Sequence, residues 1–227
     1  MSNVHNELKK EFQLERMILF SDAVFAIAIT LMALEIKLPA LEGATVTDKA
    51  LLGALEHLFL KFIGFLLSFF VIGLYWTVHH RIFAYVEGYT PRLLWLNLLF
   101  LLSIVLMPFS SGIYGDYTDR LDLLVPYAVY VLNICMTGYF NYRLWKYIGD
   151  PKNKIANPLL TPETLRLGLK RGIITSLVFV ASFLVATLVF VSVWFGMIAR
   201  WMPALIPIVM KQVQKRHLKK HPVSAAS

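Results

Sequence analysis

The sequence predicts an all-α membrane protein with six transmembrane helices, and three observations support this. Apolar residues fill 58% of the 227 positions, against roughly 45–50% in soluble domains. They fall into blocks of about 20 residues, the length a helix needs to cross a ~30 Å hydrocarbon layer. Six such crossings use about 120 residues, so the tails and loops leave no space for a separate soluble catalytic domain.

The blocks place the spans at 17–36, 57–78, 92–113, 121–144, 172–192 and 194–211. Residues 1–16 then form a cytoplasmic N-terminal segment, 17–211 the transmembrane domain and 212–227 a basic cytoplasmic tail. Met1 to Glu15 mix Lys and Glu, unlike the n-region of a cleaved signal peptide, so the first span is expected to be retained. Pro203 and Pro207 interrupt the sixth span, a break that membrane helices tolerate where neighbours satisfy the freed carbonyls. Thr47-Asp48 reads as a helix cap ahead of the second span. Thr161-Pro162-Glu163 reads as a cap for a short Leu165/Leu169 amphipathic segment lying on the cytoplasmic interface. The single cysteine, Cys135, falls inside the fourth span and excludes an intrachain disulfide.

Charge orients the spans. Seventeen of the 22 Lys and Arg fall on the side shared by the two termini, among them Lys9, Arg16, Arg81, Arg143, Arg171 and Lys211. The opposite loops carry Glu42, Asp48, Asp116, Asp119 and Asp122. By the positive-inside rule both termini are cytoplasmic. The +8 net charge is therefore a signal of topology and anionic lipid, and nucleic acid is not an expected partner.

The first span carries the chemistry. Asp22 sits about a turn inside an apolar block, where a carboxylate is costly enough to mark function by default. Arg16 lies about 240° round the helix from it, so the two do not share a face. The partner must come from another helix, and His79, His80 and Asn97 sit at similar depth. Two roles remain open for these groups, a buried interhelical lock or direct contact with a permeant. On another face Leu31 and Leu34 each fall within about 40° of Ile27, with Asp22 about 140° away from Ile27. Thr30 lies about 60° from Ile27. Taken alone, an Ile/Leu stripe is ordinary lipid or helix contact.

Arg16-x-x-x-Phe20-Ser21-Asp22, running on through Ala-Val-Phe-Ala-Ile-Ala-Ile-Thr-Leu to Leu34-Glu35-Ile36-Lys37-Leu38-Pro39, resembles the first helix of the transmembrane protein 175 family of potassium channels. Trp76-Thr-Val-His79-His80-Arg81 and the stretch from Asn97 to Met107-Pro108-Phe109-Ser110 resemble that family's second and third helices. The resemblance covers about residues 16–113. It implies a prokaryotic single-unit form, a homotetramer in the cell (inner) membrane, with the first helix of each copy lining a central pore. It also implies passive K⁺ conduction, with pore constriction and selectivity at Ile27, Thr30, Leu31 and Leu34. Arg16, Phe20, Ser21 and Asp22, with His79, His80 and Asn97, would form the motif and its polar network. No cofactor and no metal beyond permeant K⁺ is implied.

Competing chemistries are weaker. Ser111-Gly112-Ile113-Tyr114-Gly115-Asp116 echoes a carbonyl filter, but Ile113 stands where the filter needs glycine, so a helix-end turn is expected. Asp116, Asp119 and Asp122 resemble the acid set of a lipid-modifying enzyme, yet acids also suit a non-cytoplasmic helix start. His79-His80 lacks the spacing of a zinc site, and no hydrolase, Walker or dinucleotide fingerprint occurs. Lys61 and Glu56 are expected to snorkel to the outer interface. A proton-coupled transporter using Asp22 and His79/His80 is the alternative to a channel, although no internal repeat supports it.

Overall fold

The computed structural model describes residues 2–34, 36–37, 47–117, 120, 122–190 and 193–220. Its helices are α1 (Ser2–Leu34), α2 (Asp48–Phe83), α3 (Pro91–Asp116), α4 (Val125–Ile148), α5 (Pro162–Ala186), α6 (Val193–Trp201) and α7 (Ile206–Lys220). Short 3-10 turns occupy Pro151–Asn153, Thr187–Phe190 and Met202–Leu205. The described residues contain no β-strand, only an isolated bridge between Val86 and Ala156.

Threonines start three of these helices. Thr47, Thr90 and Thr161 each sit in extended conformation and accept the backbone N–H three residues on, with Pro91 and Pro162 occupying the first helical position behind two of them. That proline has no N–H to leave unsatisfied and a φ already suited to the helix.

Among the described residues, four helices contain stretches long and apolar enough to cross a membrane: Glu11–Leu34, Lys61–Phe83, Pro91–Asp116 and Pro162–Ala186. The protein is thus an all-helical membrane protein. α4 is long enough at 24 residues but carries Tyr127, Tyr130, Asn133, Thr137 and Asn141, all buried. Those polar groups dilute its hydropathy, and three of them bond to neighbouring helices: Tyr127 to Ser182, Tyr130 to Ser68, and Asn133 to Ser110.

Several boundaries move relative to the sequence reading. α1 begins at Ser2 and α2 at Asp48, well ahead of their apolar windows. The separate interfacial segment expected at Leu165/Leu169 does not exist. It forms the first turns of α5, where Leu165 packs close to Gly149 and Gly168 lies against the Trp145 ring, so its apolar stripe faces α4. The sixth span is broken into α6 and α7 by a 3-10 turn holding Pro203, and α7 runs on to Lys220. Ser111 to Asp116 continue α3 as helix.

The ends of the bundle alternate. The α2–α3 and α4–α5 connections meet at one end, where Glu87 N–H donates to the Ile155 carbonyl at 2.8 Å and Asn157 N–H to Tyr85 at 2.9 Å. At the other end Lys61 Nζ of α2 pairs with Asp116 of α3 at 2.8 Å, so this lysine is engaged with a carboxylate. A further seam joins α4 to α5. Gly168, Gly172 and Ser176 recur every fourth residue, and Gly138 approaches so closely that an added Cβ would stand 2.1 Å from Ser176 Oγ. Small residues at such spacing let membrane helices pack by van der Waals contact where no hydrophobic drive exists.

Candidate functional site

α1 divides lengthwise. Leu14, Met17, Ser21, Phe25, Ala28 and Met32 recur at helical spacing and are buried. The opposite side exposes Phe20, Ile27, Leu31 and Leu34, with Ile27 57% exposed and Leu34 66%. Thr30 lies on this exposed side, and its hydroxyl donates to the Ile27 carbonyl at 2.9 Å. Its lone pairs are therefore the outward-facing polar feature among the aliphatic side chains.

On the inner side, Ser21, Asn97 and His79 bind α1, α3 and α2 together, each essentially inaccessible. The donors can be ordered. Ser21 Oγ donates to the Met17 carbonyl at 2.8 Å, so its oxygen must accept from Asn97 Nδ2, which stands 2.8 Å away. The Asn97 Oδ1 then faces His79 Nε2 at 2.8 Å. An amide oxygen only accepts, which puts the shared hydrogen on His79 Nε2. The His79 ring is held between aromatic faces, stacked on Phe100 at 5.6 Å and against Phe83 at 4.3 Å, with Phe25 of α1 at 5.5 Å.

The expected partners of Asp22 are not the ones it uses. Trp76 of α2 donates its indole N–H to Asp22 Oδ1 at 3.0 Å, in a half-exposed position. A carboxylate near an open face is better served by an amphipathic indole than by the buried amide and imidazole, which already satisfy one another. His80 is exposed and lies 5.8 Å from the Trp76 ring rather than in the buried relay. Arg16 is exposed too, its guanidinium 5.8 Å from the Phe12 ring. Asp22 and His79 thus have separate hydrogen-bond partners, and no described hydrogen bond links them.

Sequence reasoning missed Trp76 as the ligand of Asp22, although it lies in the motif with His79. It also missed the Thr90 cap and the α4–α5 seam, whose four-residue spacing of Gly168, Gly172 and Ser176 was the available signal. No group of three or more His, Cys, Asp or Glu among the described residues is placed to hold a metal. Asp116 pairs with Lys61 and Asp122 with Arg120, while Asp119 lies outside the described residues.

Fold and site together define a helical, multi-pass membrane protein whose first helix is locked on one side and open on the other. Residues 16–108 match the family model described as the endosomal/lysosomal potassium channel TMEM175. A potassium channel of Chamaesiphon minutus is 33% identical over 151 residues, which is 66% of this chain and 73% of that relative. The chain belongs to the TMEM175 family, a family of ion channels rather than enzymes. A potassium channel of Streptomyces collinus is 36% identical over 131 residues, covering 57% of this chain and 61% of the relative's own length. Among solved structures, the crystal structure of a lysosomal potassium-selective channel TMEM175 homolog from Chamaesiphon minutus matches with a TM-score of 0.70 and 26% identity. That match covers 88% of this chain and 99% of that one.

Proposed function

We propose that the protein is a potassium channel that assembles as a homotetramer around α1. Its 17–211 region would cross the cell (inner) membrane of a prokaryote six times, with α4 and the broken α6–α7 unit supplying the two crossings beyond the four strongly apolar ones. Both termini, including the 1–16 segment and the 212–227 tail, would lie in the cytoplasm. The observation that carries this reading is the two-sidedness of α1: the Ser21–Asn97–His79 relay fixes its inner side, and Ile27, Leu31 and Leu34 are left exposed on the other.

Brought to a common axis in four copies, those side chains form hydrophobic rings, which gate ions by dewetting. Thr30 adds a polar layer beside them. A narrow pore of this kind favours K⁺ over Na⁺ because K⁺ sheds its water at lower cost. Asp22 need not touch the ion; with Arg16, Phe20 and Trp76 it orients the start of α1, while His80 packs beside Trp76.

The test is the reversal potential of purified protein in planar bilayers under a K⁺/Na⁺ bi-ionic gradient, with an Ile27→Asn variant alongside. A K⁺-biased reversal, with conductance or selectivity changed by Ile27→Asn, is expected. Conduction indifferent to Ile27 would remove the pore from α1. Flux that saturates and follows a proton gradient would replace the channel by proton-coupled transport through Asp22 and the histidines.

A further inference from the structure

At the end of the bundle where the α2–α3 and α4–α5 connections meet, a cavity of about 60 Å³ lies between α2, α4 and α5. Its walls include Arg81, Arg171, Thr164 and the indole of Trp145. Two guanidiniums thus line one small space, and no carboxylate is among the described residues of its lining. Trp145 is only 2% exposed, yet its Nε1–H finds no acceptor among the described residues. A buried donor left unsatisfied costs about 1–3 kcal/mol, so an incoming acceptor beside the two cations would relieve that cost.

The surroundings point the same way. Thr164 belongs to the first turn of α5, capped by Thr161, and a helix N-terminus carries roughly half a positive charge. Gly168, also in the wall, has no side chain because the Trp145 ring occupies that space; an added Cβ would lie 2.4 Å from the ring carbons. The volume is several times the ~10–15 Å³ that one water requires.

We infer that this cavity is a binding site for a phosphate-class oxyanion, held by Arg81 and Arg171 with the Trp145 indole N–H as a neutral third donor. Arginine suits the role because its planar fork of donors matches phosphate oxygens two at a time. The site lies away from the exposed face of α1 and does not depend on what the protein conducts. One chemistry has two sources here, free phosphate from solution or the headgroup of an anionic phospholipid from the adjoining leaflet.

Thermal unfolding of the full-length protein tests the inference, in zwitterionic detergent at fixed ionic strength. One arm titrates inorganic phosphate against chloride; the other titrates phosphatidylglycerol against phosphatidylcholine. Stabilisation by phosphate assigns the site to a soluble anion, and stabilisation by phosphatidylglycerol alone assigns it to a lipid headgroup. Either result supports the site only if the variants respond. Arg81→Gln and Arg171→Gln should each raise the midpoint ligand concentration about tenfold or more, the scale of one charge-assisted hydrogen bond. Trp145→Phe, which keeps the ring and removes the N–H, should raise it a few-fold. Lys152→Gln, outside the cavity lining, should leave it unchanged. Arg81 is exposed, so its replacement tests the site even if the Arg171 variant does not fold. No stabilisation in either arm, or equal midpoints for wild type and Arg81→Gln, overturns the inference.

Discussion

Replacing Asn97 by leucine, a side chain of similar size, cuts the relay at its middle. Two 2.8 Å hydrogen bonds go at once. His79 Nε2–H then has nothing to donate to, and the rings of Phe83 and Phe100 that clamp the imidazole prevent it from swinging out to find water. Ser21 keeps its bond to the Met17 carbonyl and loses only the donor to its oxygen. Interhelical hydrogen bonds in membranes contribute about 0.6 kcal/mol on average and about 1.7 at most, so two of them set a cost of roughly 1–3 kcal/mol for Asn97→Leu. Ser21→Ala alone should cost less, because it leaves one amide N–H unpaired. In the Asn97→Leu background Ser21 has no interhelical bond left to lose, so the double variant should fall short of additivity by about 0.5–1.5 kcal/mol. Reversible unfolding in mixed detergent–SDS micelles, followed by tryptophan fluorescence, measures all four corners of this cycle. Stability of Asn97→Leu within about 0.3 kcal/mol of wild type, or simple additivity of the pair, would refute the relay as the bond between α1 and the rest of the bundle.

Other perturbations read other parts of the molecule. Gly138→Ala places a methyl 2.1 Å from Ser176 Oγ, which can rotate, and 3.0 Å from the Gly172 carbonyl, which cannot; a loss of about 1–3 kcal/mol is expected from such overpacking and is measured by the same unfolding assay. Lys61→Met removes an ion pair whose side chains are 30% and 63% exposed, so the change should be about 0–1 kcal/mol and should vanish in high salt. Arg120 donates two hydrogen bonds to Asp122 and holds its carboxyl below the usual carboxylate range. A depressed value means that the pair is intact at neutral pH and is lost only as pH falls through that lowered value. Carboxyl-carbon NMR should find the Asp122 titration moving back up in Arg120→Gln.

Much of this architecture was visible before any coordinates. Apolar blocks predicted six spans, and four helices among the described residues are long and apolar enough to cross a membrane, because burial in lipid is what suits about twenty largely apolar residues in a row. Thr47 and Thr161 were readable as caps because side-chain oxygen and missing proline N–H solve a local problem; Thr90-Pro91 carried the same signal. Depth placed Asp22, His79, His80 and Asn97 near one another, but depth is a single coordinate. It could not tell that Ser21 rather than its neighbour Asp22 would turn toward Asn97, since the two differ only by about 100° of helix rotation. Nor could it tell that Trp76 would serve Asp22, because an indole near a span end equally suits the headgroup layer. The beginning of α5 misled for a related reason: Arg166, Lys170 and Arg171 look like the edge of a span, yet the Leu165 and Gly168 side of the same turns is committed to α4.

The same helix rotation bears on function. The buried positions of α1 recur from Leu14 through Met32 and include Ser21, while Asp22 at the margin of that side takes the Trp76 indole N–H. Ile27, Leu31 and Leu34 therefore make no demand on the fold of a single chain, and a hydrocarbon environment would cover them as well as a second subunit would. Stability measurements on these residues are blind to the difference. Conduction is not: lipid-facing side chains leave reversal potential untouched, whereas side chains ringing an axis cannot be changed in four copies without changing the passage between them. The lock and the open face thus separate by assay, with Asn97 read in unfolding and Ile27 read in current.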